Sequence, residues 1–288
     1  MTRRPGPAPK PVPATWRPAI AGYLEAQFGI GRSPQTLRTR REQLGHVARQ
    51  MRVSPDSVTP VMLVEWFGKQ THWGAECRKS YRNTLRSFFE WAHAAGITAT
   101  NPALALPPVR TTTTPLRPAP DDVVQAAFAA AGPREKLMLR LGAEAGLRRA
   151  EIAQVHVQDV KVDTSGPRLL VRGKGNRIRQ VPITPDLAAV IQEGAAGHTP
   201  GTSDNGWLFP NFTGGHLTPK YVGDLMAQLL PGRFSAHSLR RRFGTRAYIG
   251  TKDVRAVQML LGHSSLSVTE RYISIDDDQL RTAMMAAL

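Results

Sequence analysis

Cysteine is nearly absent. Cys77 is the only one in 288 residues, so no internal disulfide framework can form, and the chain suits a reducing, cytoplasmic setting. Long apolar runs are missing as well: none approaches the roughly 20 residues that a membrane-spanning helix needs. The opening stretch MTRRPGPAPKPVP has basic residues but no apolar core, so it reads as a mobile, partly extended arm and not as a secretory signal. No cluster of residues has metal-ligand spacing. GKGNR lacks the spacing and the following Ser or Thr of a P-loop. No metal, cofactor or ATP is therefore implied.

Acidic residues are also scarce. The chain has 22 Asp and Glu against 38 Lys and Arg, a formal net charge of +16 at pH 7. Such a surface attracts polyanions, nucleic acid being the commonest, although a basic ribosomal or membrane-surface protein shares this charge. The distribution is uneven: residues 1–110 hold 16 basic and 6 acidic residues, a net +10, and the remainder carries +6. With 41% apolar residues the chain is a folded protein, long enough for two modest domains.

Residues 15–105 read as helices. WRPAIAGYLEAQF places Trp16, Ile20, Tyr23, Leu24 and Phe28 near helical spacing. Ser33-Pro34 and Thr59-Pro60 open two more helices, each with a capping residue followed by proline at the first helical position. The longest helix runs through AECRKSYRNTLRSFFEWAHAAG and stops at Gly96, with Tyr81, Leu85, Phe88, Phe89 and Ala92 as its core face. LPPVRTTTTPLRPAP, residues 106–120, has five prolines and four successive threonines and reads as a linker. Beyond it, residues 121–288 read as further helices around one hairpin, RLLVRGKGNRIRQVPI. The expected fold is mainly α with a small antiparallel sheet (α+β), behind a basic tail at 1–14.

Chemistry-bearing residues recur through the second half. In HSLRRRFGT, His237 and Arg240 are three apart, so on a helix they share a face and can reach one anion. For an isolated Arg run a solvated basic face is the commoner explanation. In GLRRAEI, Arg148 opens a helix and Glu151 lies one turn on, either fixing the Arg148 guanidinium or forming an ordinary surface ion pair. Lys174 sits at a hairpin tip between two glycines, either reaching into a groove as a proton donor or standing in water. LGHSSLSVTERYI puts His263 just past a helix and Tyr272 nine residues later. A tyrosine is a poor nucleophile until cations stabilise its phenolate or a base takes its proton, and a lone one is more often a core residue.

In their fixed order, Arg148, Lys174, His237, Arg240, His263 and Tyr272 resemble the tyrosine recombinase (phage integrase) family, over about residues 12–280. The resemblance implies an N-terminal SAM-like helical bundle that binds core DNA and a C-terminal catalytic domain, together forming a C-shaped clamp. It implies that Tyr272 attacks a scissile DNA phosphate, Arg148 and Arg240 hold its non-bridging oxygens, His237 and His263 assist, and Lys174 protonates the leaving 5′-oxygen. It also implies a chain that is monomeric when free and a homotetramer on synapsed double-stranded DNA, passing through a Holliday junction in the bacterial nucleoid. About fifteen residues precede the first helix, too few for the arm-binding domain of many temperate-phage integrases, so the likeness leans to Xer-like or small arm-independent members. The C-terminal segment, with Leu280, Met284, Met285 and Leu288 beside Asp276–Asp278, either docks on a neighbouring protomer, the favoured reading, or covers its own core.

Candidate DNA contacts are Arg78, Arg82 and Arg86, recurring every four residues with Lys79 beside them, then Arg38, Arg40 and Arg41, and Arg241 in the second half. Three functions compete: a site-specific recombinase serving phage or mobile-element integration and excision; a type IB topoisomerase-like relaxase; and a DNA-binding protein with an idle active site.

Overall fold

Local capping chemistry sets the helix starts. Ser33, Thr59, Thr184 and Thr218 each accept a hydrogen bond from a main-chain N–H of the first helical turn, and each precedes a proline, whose missing donor costs nothing at that position. The computed structural model describes residues 11–110, 118–173, 177–202, 205–232, 234–263 and 284–285. The chain divides into two units, Met1–Thr114 and Pro115–Leu288.

The first unit is built from α1 (Arg17–Gly29), α2 (Pro34–Met51), α3 (Pro60–Gly68) and α4 (Ala75–Ala94). Trp16, Tyr23, Leu44, Leu63, Phe88 and Phe89 are its fully enclosed centre. The Trp16 and Phe88 rings stack at 5.7 Å, and the indole N–H of Trp16 donates to the Val53 carbonyl at 2.7 Å, giving a buried polar tip its partner. Leu85, Phe88, Phe89 and Ala92 are buried on α4, whereas Tyr81 is half-buried and stacks on Trp73 at 4.0 Å. Phe28 departs from the expected apolar face of α1: it is 70% exposed, and Gln27 is buried in its place, held by Arg40.

The second unit contains α5 (Asp121–Ala130), α6 (Pro133–Ala143), α7 (Arg149–Ala153), β1 (Val160–Asp163), β2 (Gly166–Arg172), β3 (Ile178–Pro182), α8 (Pro185–Gln192), α9 (Pro219–Leu229), α10 (Ala236–Thr251) and α11 (Val254–Leu261). The three strands form one antiparallel sheet in the order β1-β2-β3. Leu169 is paired with Val160 on one side and Val181 on the other, and all three side chains point into the core. β1 is a strand beyond the expected hairpin; only its first residue is buried, so it carries too short an alternation to stand out in the sequence. α6 lies across α10 closely enough that a Cβ on Gly142 would meet Leu239 at 3.2 Å.

The two ends of the proline-rich segment are anchored. The Leu106 side chain is in the first core and its carbonyl accepts from Arg82 Nε at 3.1 Å. Ala119 is in the second core, and its N–H donates to the Ser238 carbonyl at 3.2 Å. No described helix is long and apolar enough to cross a membrane.

Candidate active site

A tight reversal places Arg148. α6 ends at Ala143, Gly146 adopts φ +64°, and Arg148 becomes the N-cap of α7. Only glycine fits at the turn: a Cβ on Gly146 would lie 2.4 Å from Cδ1 of Phe243. Glu151, in the first turn of α7, reaches back to its own cap. Its Oε2 accepts from the Arg148 main-chain N–H at 2.8 Å and its Oε1 from Arg148 Nη1 at 2.7 Å. The Arg148 side chain is 39% exposed, but that of Glu151 is 3% exposed.

A buried carboxylate needs several donors to remain charged. Arg179, on β3, supplies two of them, Nη1 to Oε1 and Nη2 to Oε2, both at 2.9 Å. Arg240 Nη1 stands 3.7 Å from Oε2. Burial alone would raise the Glu151 carboxyl, but hydrogen bonds and charge from Arg179 and Arg148 hold it at about 2.

α10 contributes His237 and Arg240. The Arg240 side chain is enclosed; its Nη1 donates to the Gly146 carbonyl at 2.5 Å and its Nη2 to the Leu261 carbonyl. It thereby ties the turn before Arg148 to the end of α11. His237 lies one turn earlier and reaches solvent. His263 follows Gly262, whose φ of +62° ends α11, and is clamped by Gln258, which accepts from the His263 N–H and donates to its carbonyl, both at 3.1 Å.

Both imidazoles are lowered from 6.5 to about 4. Desolvation by the surrounding protein is the largest cause for each; the charges of Arg241, Arg240 and Arg148 add to it at His237, and those of Arg240, Arg148 and Arg179 at His263. Near pH 7 each ring is therefore neutral, with one nitrogen able to accept a proton and the other to donate.

Arg148, Glu151, His237, Arg240 and His263 thus converge from separate parts of the chain on one basic site. Lys174 and Tyr272 lie outside the described residues, as do the first ten residues and most of the segment after Tyr272. Gly173, the residue before Lys174, borders the site: a Cβ on it would lie 3.7 Å from Glu151 Oε1. Arg179 was not among the sequence-derived candidates. It alternates with the exposed Ile178 and Gln180 and shares the face of buried Val181, so a charged residue at an inward strand position was the available signal. Among the described residues no group of His, Cys, Asp and Glu could hold a metal ion.

The candidate DNA contacts fall into two sets. Arg40 is turned inward: Nη1 donates to Tyr23 Oη at 2.6 Å and also to Gln27 and Ser87. Arg78 closes the end of α3, donating to the carbonyls of Phe67, Gln70 and Trp73 at 3.3, 2.7 and 3.3 Å. Arg82 holds Leu106, and Arg241 is buried. In contrast, Arg41 and Lys79 are exposed and Arg86 is half-exposed; Arg38 is exposed and pairs with Glu42 at 3.1 Å.

A profile of the phage integrase family matches residues 120–279, and the chain belongs to that family. The tyrosine recombinase XerC of Rhodospirillum centenum is 33% identical over 222 residues, which cover 72% of this chain and 64% of that protein. XerC of Oceanobacillus iheyensis is 30% identical over 223 residues, 70% of this chain and 71% of the relative. The chain thus spans just under two thirds of the first of these relatives. Among solved structures, the Tn1549 transposon integrase, determined in complex with a circular intermediate DNA, superposes with a TM-score of 0.69 over 94% of this chain and 99% of that one. At 18% identity that likeness is one of fold.

Proposed function

We propose that the chain is a site-specific DNA recombinase that cuts and rejoins double-stranded DNA by transesterification. The observation that carries the reading is the convergence of Arg148, Arg240, His237 and His263 around one buried carboxylate, Glu151. Such a site is electropositive and contains neutral imidazoles, which suits a phosphodiester whose charge grows as a fifth oxygen approaches.

In this mechanism Tyr272 Oη attacks the scissile phosphorus. A 3′-phosphotyrosyl bond forms and the bond to the 5′-oxygen breaks; one ester replaces another, so rejoining needs no ATP. The phenol proton goes to a neutral imidazole, His263 or His237, and Lys174 supplies the proton taken up by the 5′-oxygen. Arg148, whose side chain is partly exposed, holds the non-bridging oxygens. Arg240, enclosed and fixed by the Gly146 and Leu261 carbonyls, adds its charge on the same phosphate. Residues 15–105 serve as the core DNA-binding domain and 121–288 as the catalytic domain. Four protomers synapse two sites, in a phage or mobile-element setting.

The test is covalent capture. Wild type incubated with duplexes carrying a nick beside the cleavage point should form an adduct at one position, and Tyr272→Phe should bind the same DNA without an adduct. An adduct with Tyr272→Phe would overturn the mechanism. Relaxation of plasmids at unlocalised positions would favour a topoisomerase, and DNA binding with no adduct from wild type an idle binding protein.

A further inference from the structure

Glu151 is shared unequally between two arginines. Its oxygens receive four hydrogen bonds, two from Arg148 and two from Arg179, but only Arg179 meets it fork to fork. A carboxylate and a guanidinium favour that parallel, two-bond arrangement over a single bond. Arg179 is committed on all sides: besides Nη1 and Nη2 on Glu151, its Nε donates to the Leu260 carbonyl at 2.9 Å. Its side chain is 12% exposed, and its stem fills the space over Gly262, where a Cβ would lie 2.8 Å from Arg179 Cδ. Each of its three nitrogens thus already donates one bond within the protein. Arg148, by contrast, gives Glu151 one side-chain bond, from Nη1, and its Nε and Nη2 make no hydrogen bond among the described residues.

We propose that Arg179 is a positioning residue for phosphodiester cleavage: by occupying the two-bond face of Glu151 it prevents that carboxylate from chelating Arg148, and so keeps the Arg148 fork directed at the DNA phosphate. Without Arg179, Glu151 is a buried carboxylate with two of its four donors gone, and of the two guanidiniums left beside it Arg148, bonded at 2.7 Å, is closer than Arg240 at 3.7 Å. The resulting Arg148–Glu151 pair turns the fork inward. Arg179 acts through Glu151 and never touches DNA. The inference rests on Arg148 being a phosphate ligand in a DNA-cleaving protein, as proposed above.

The experiment measures single-turnover covalent capture of a nicked duplex at saturating protein, and DNA affinity by gel mobility, for wild type, Arg179→Met, Arg179→Lys, Glu151→Gln and the Arg179→Met/Glu151→Gln pair. A misdirected fork should slow capture by Arg179→Met roughly 100-fold. Its Kd should stay within about 3-fold of wild type, because most DNA contacts lie elsewhere. Arg179→Lys, a point charge able to hold one oxygen, should fall between the two. In the Glu151→Gln background, Arg179→Met should slow capture less than about 3-fold further, because the chelating carboxylate is gone. Wild-type capture by Arg179→Met would overturn the proposal, as would a loss that is fully additive with Glu151→Gln or that merely follows Kd. If Arg179→Met does not melt cooperatively, Arg179→Lys decides: slower capture at unchanged Kd supports the role, and the wild-type rate removes it. A wild type that captures no DNA sinks the recombinase reading itself, an outcome separate from any difference among the variants.

Discussion

Glu151 and Arg148 are joined twice, once through the Arg148 main-chain N–H at 2.8 Å and once through its guanidinium at 2.7 Å. One acidic side chain therefore caps the helix that presents Arg148 and also restrains Arg148 itself. Local helix stability and the position of the Arg148 guanidinium are tied to the same buried group.

Removing that group should be costly in two ways. Glu151→Ala leaves Arg148, Arg179 and Arg240 facing one another with no carboxylate between them, and loss of one partner from a buried ion cluster costs about 3–5 kcal/mol. Glu151→Gln keeps the shape and part of the hydrogen bonding and should lose less stability. Urea unfolding checks the order: wild type above Glu151→Gln above Glu151→Ala. Equal midpoints for wild type and Glu151→Ala would show that the cluster contributes nothing to folding.

Acid should weaken the protein in two stages. His263 and His237 lie near 4 when folded, against an ordinary 6.5. As pH falls below 6.5 the unfolded chain takes up these protons first, so stability is lost from 6.5 down through 4. Glu151 is near 2 when folded against 4.5, so its contribution is present above 4.5 and lost as pH falls toward 2. The urea midpoint of wild type should drop between pH 7 and pH 5 more steeply than that of a His237→Gln/His263→Gln variant. Parallel slopes for the two proteins would contradict the depressed imidazoles.

Gly146 should not accept a side chain. Its φ is +64° and a Cβ would lie 2.4 Å from the Phe243 ring, so Gly146→Ala must both strain the backbone and displace the ring. Overpacking of this kind costs about 1–3 kcal/mol. Because the Gly146 carbonyl also holds Arg240, covalent DNA capture should slow as the melting temperature falls. An unchanged melting temperature would mean that the reversal is more tolerant than its geometry indicates.

Much of this was legible in the sequence because it rests on local rules. Ser and Thr before proline marked helix starts at Ser33 and Thr59, and each accepts from a main-chain N–H of its helix. The i, i+3 spacing placed His237 and Arg240 on one helix, and Glu151 one turn from Arg148. Other features depend on packing between distant segments. Arg179 meets Glu151 across 28 positions and Leu260 across 81, pairings that no local window contains. Arg40 looked like its neighbour Arg41, yet it turns to Tyr23 and Ser87, 17 and 47 positions away. Periodicity places a residue on a face, but the partner on the opposing helix decides whether that face is wet.

That distinction divides the basic residues of the first unit into measurable classes. Arg41, Lys79 and Arg86 have no hydrogen bond or ion pair among the described residues, so their charge is available to DNA phosphates. Replacing each by Ala should leave the melting temperature within a degree or two and weaken binding. The slope of log Kd against log salt should fall by about 0.9 for each phosphate no longer neutralised. Arg40→Ala and Arg78→Ala should do the reverse. Arg40→Ala strips donors from Tyr23, Gln27 and Ser87, and Arg78→Ala from three carbonyls near the end of α3, at about 1–3 kcal/mol for each buried group left unpaired. Their salt slopes should match wild type. A slope shallower by a full unit in Arg78→Ala, at unchanged stability, would place that guanidinium on DNA and show that its carbonyl bonds give way when DNA binds.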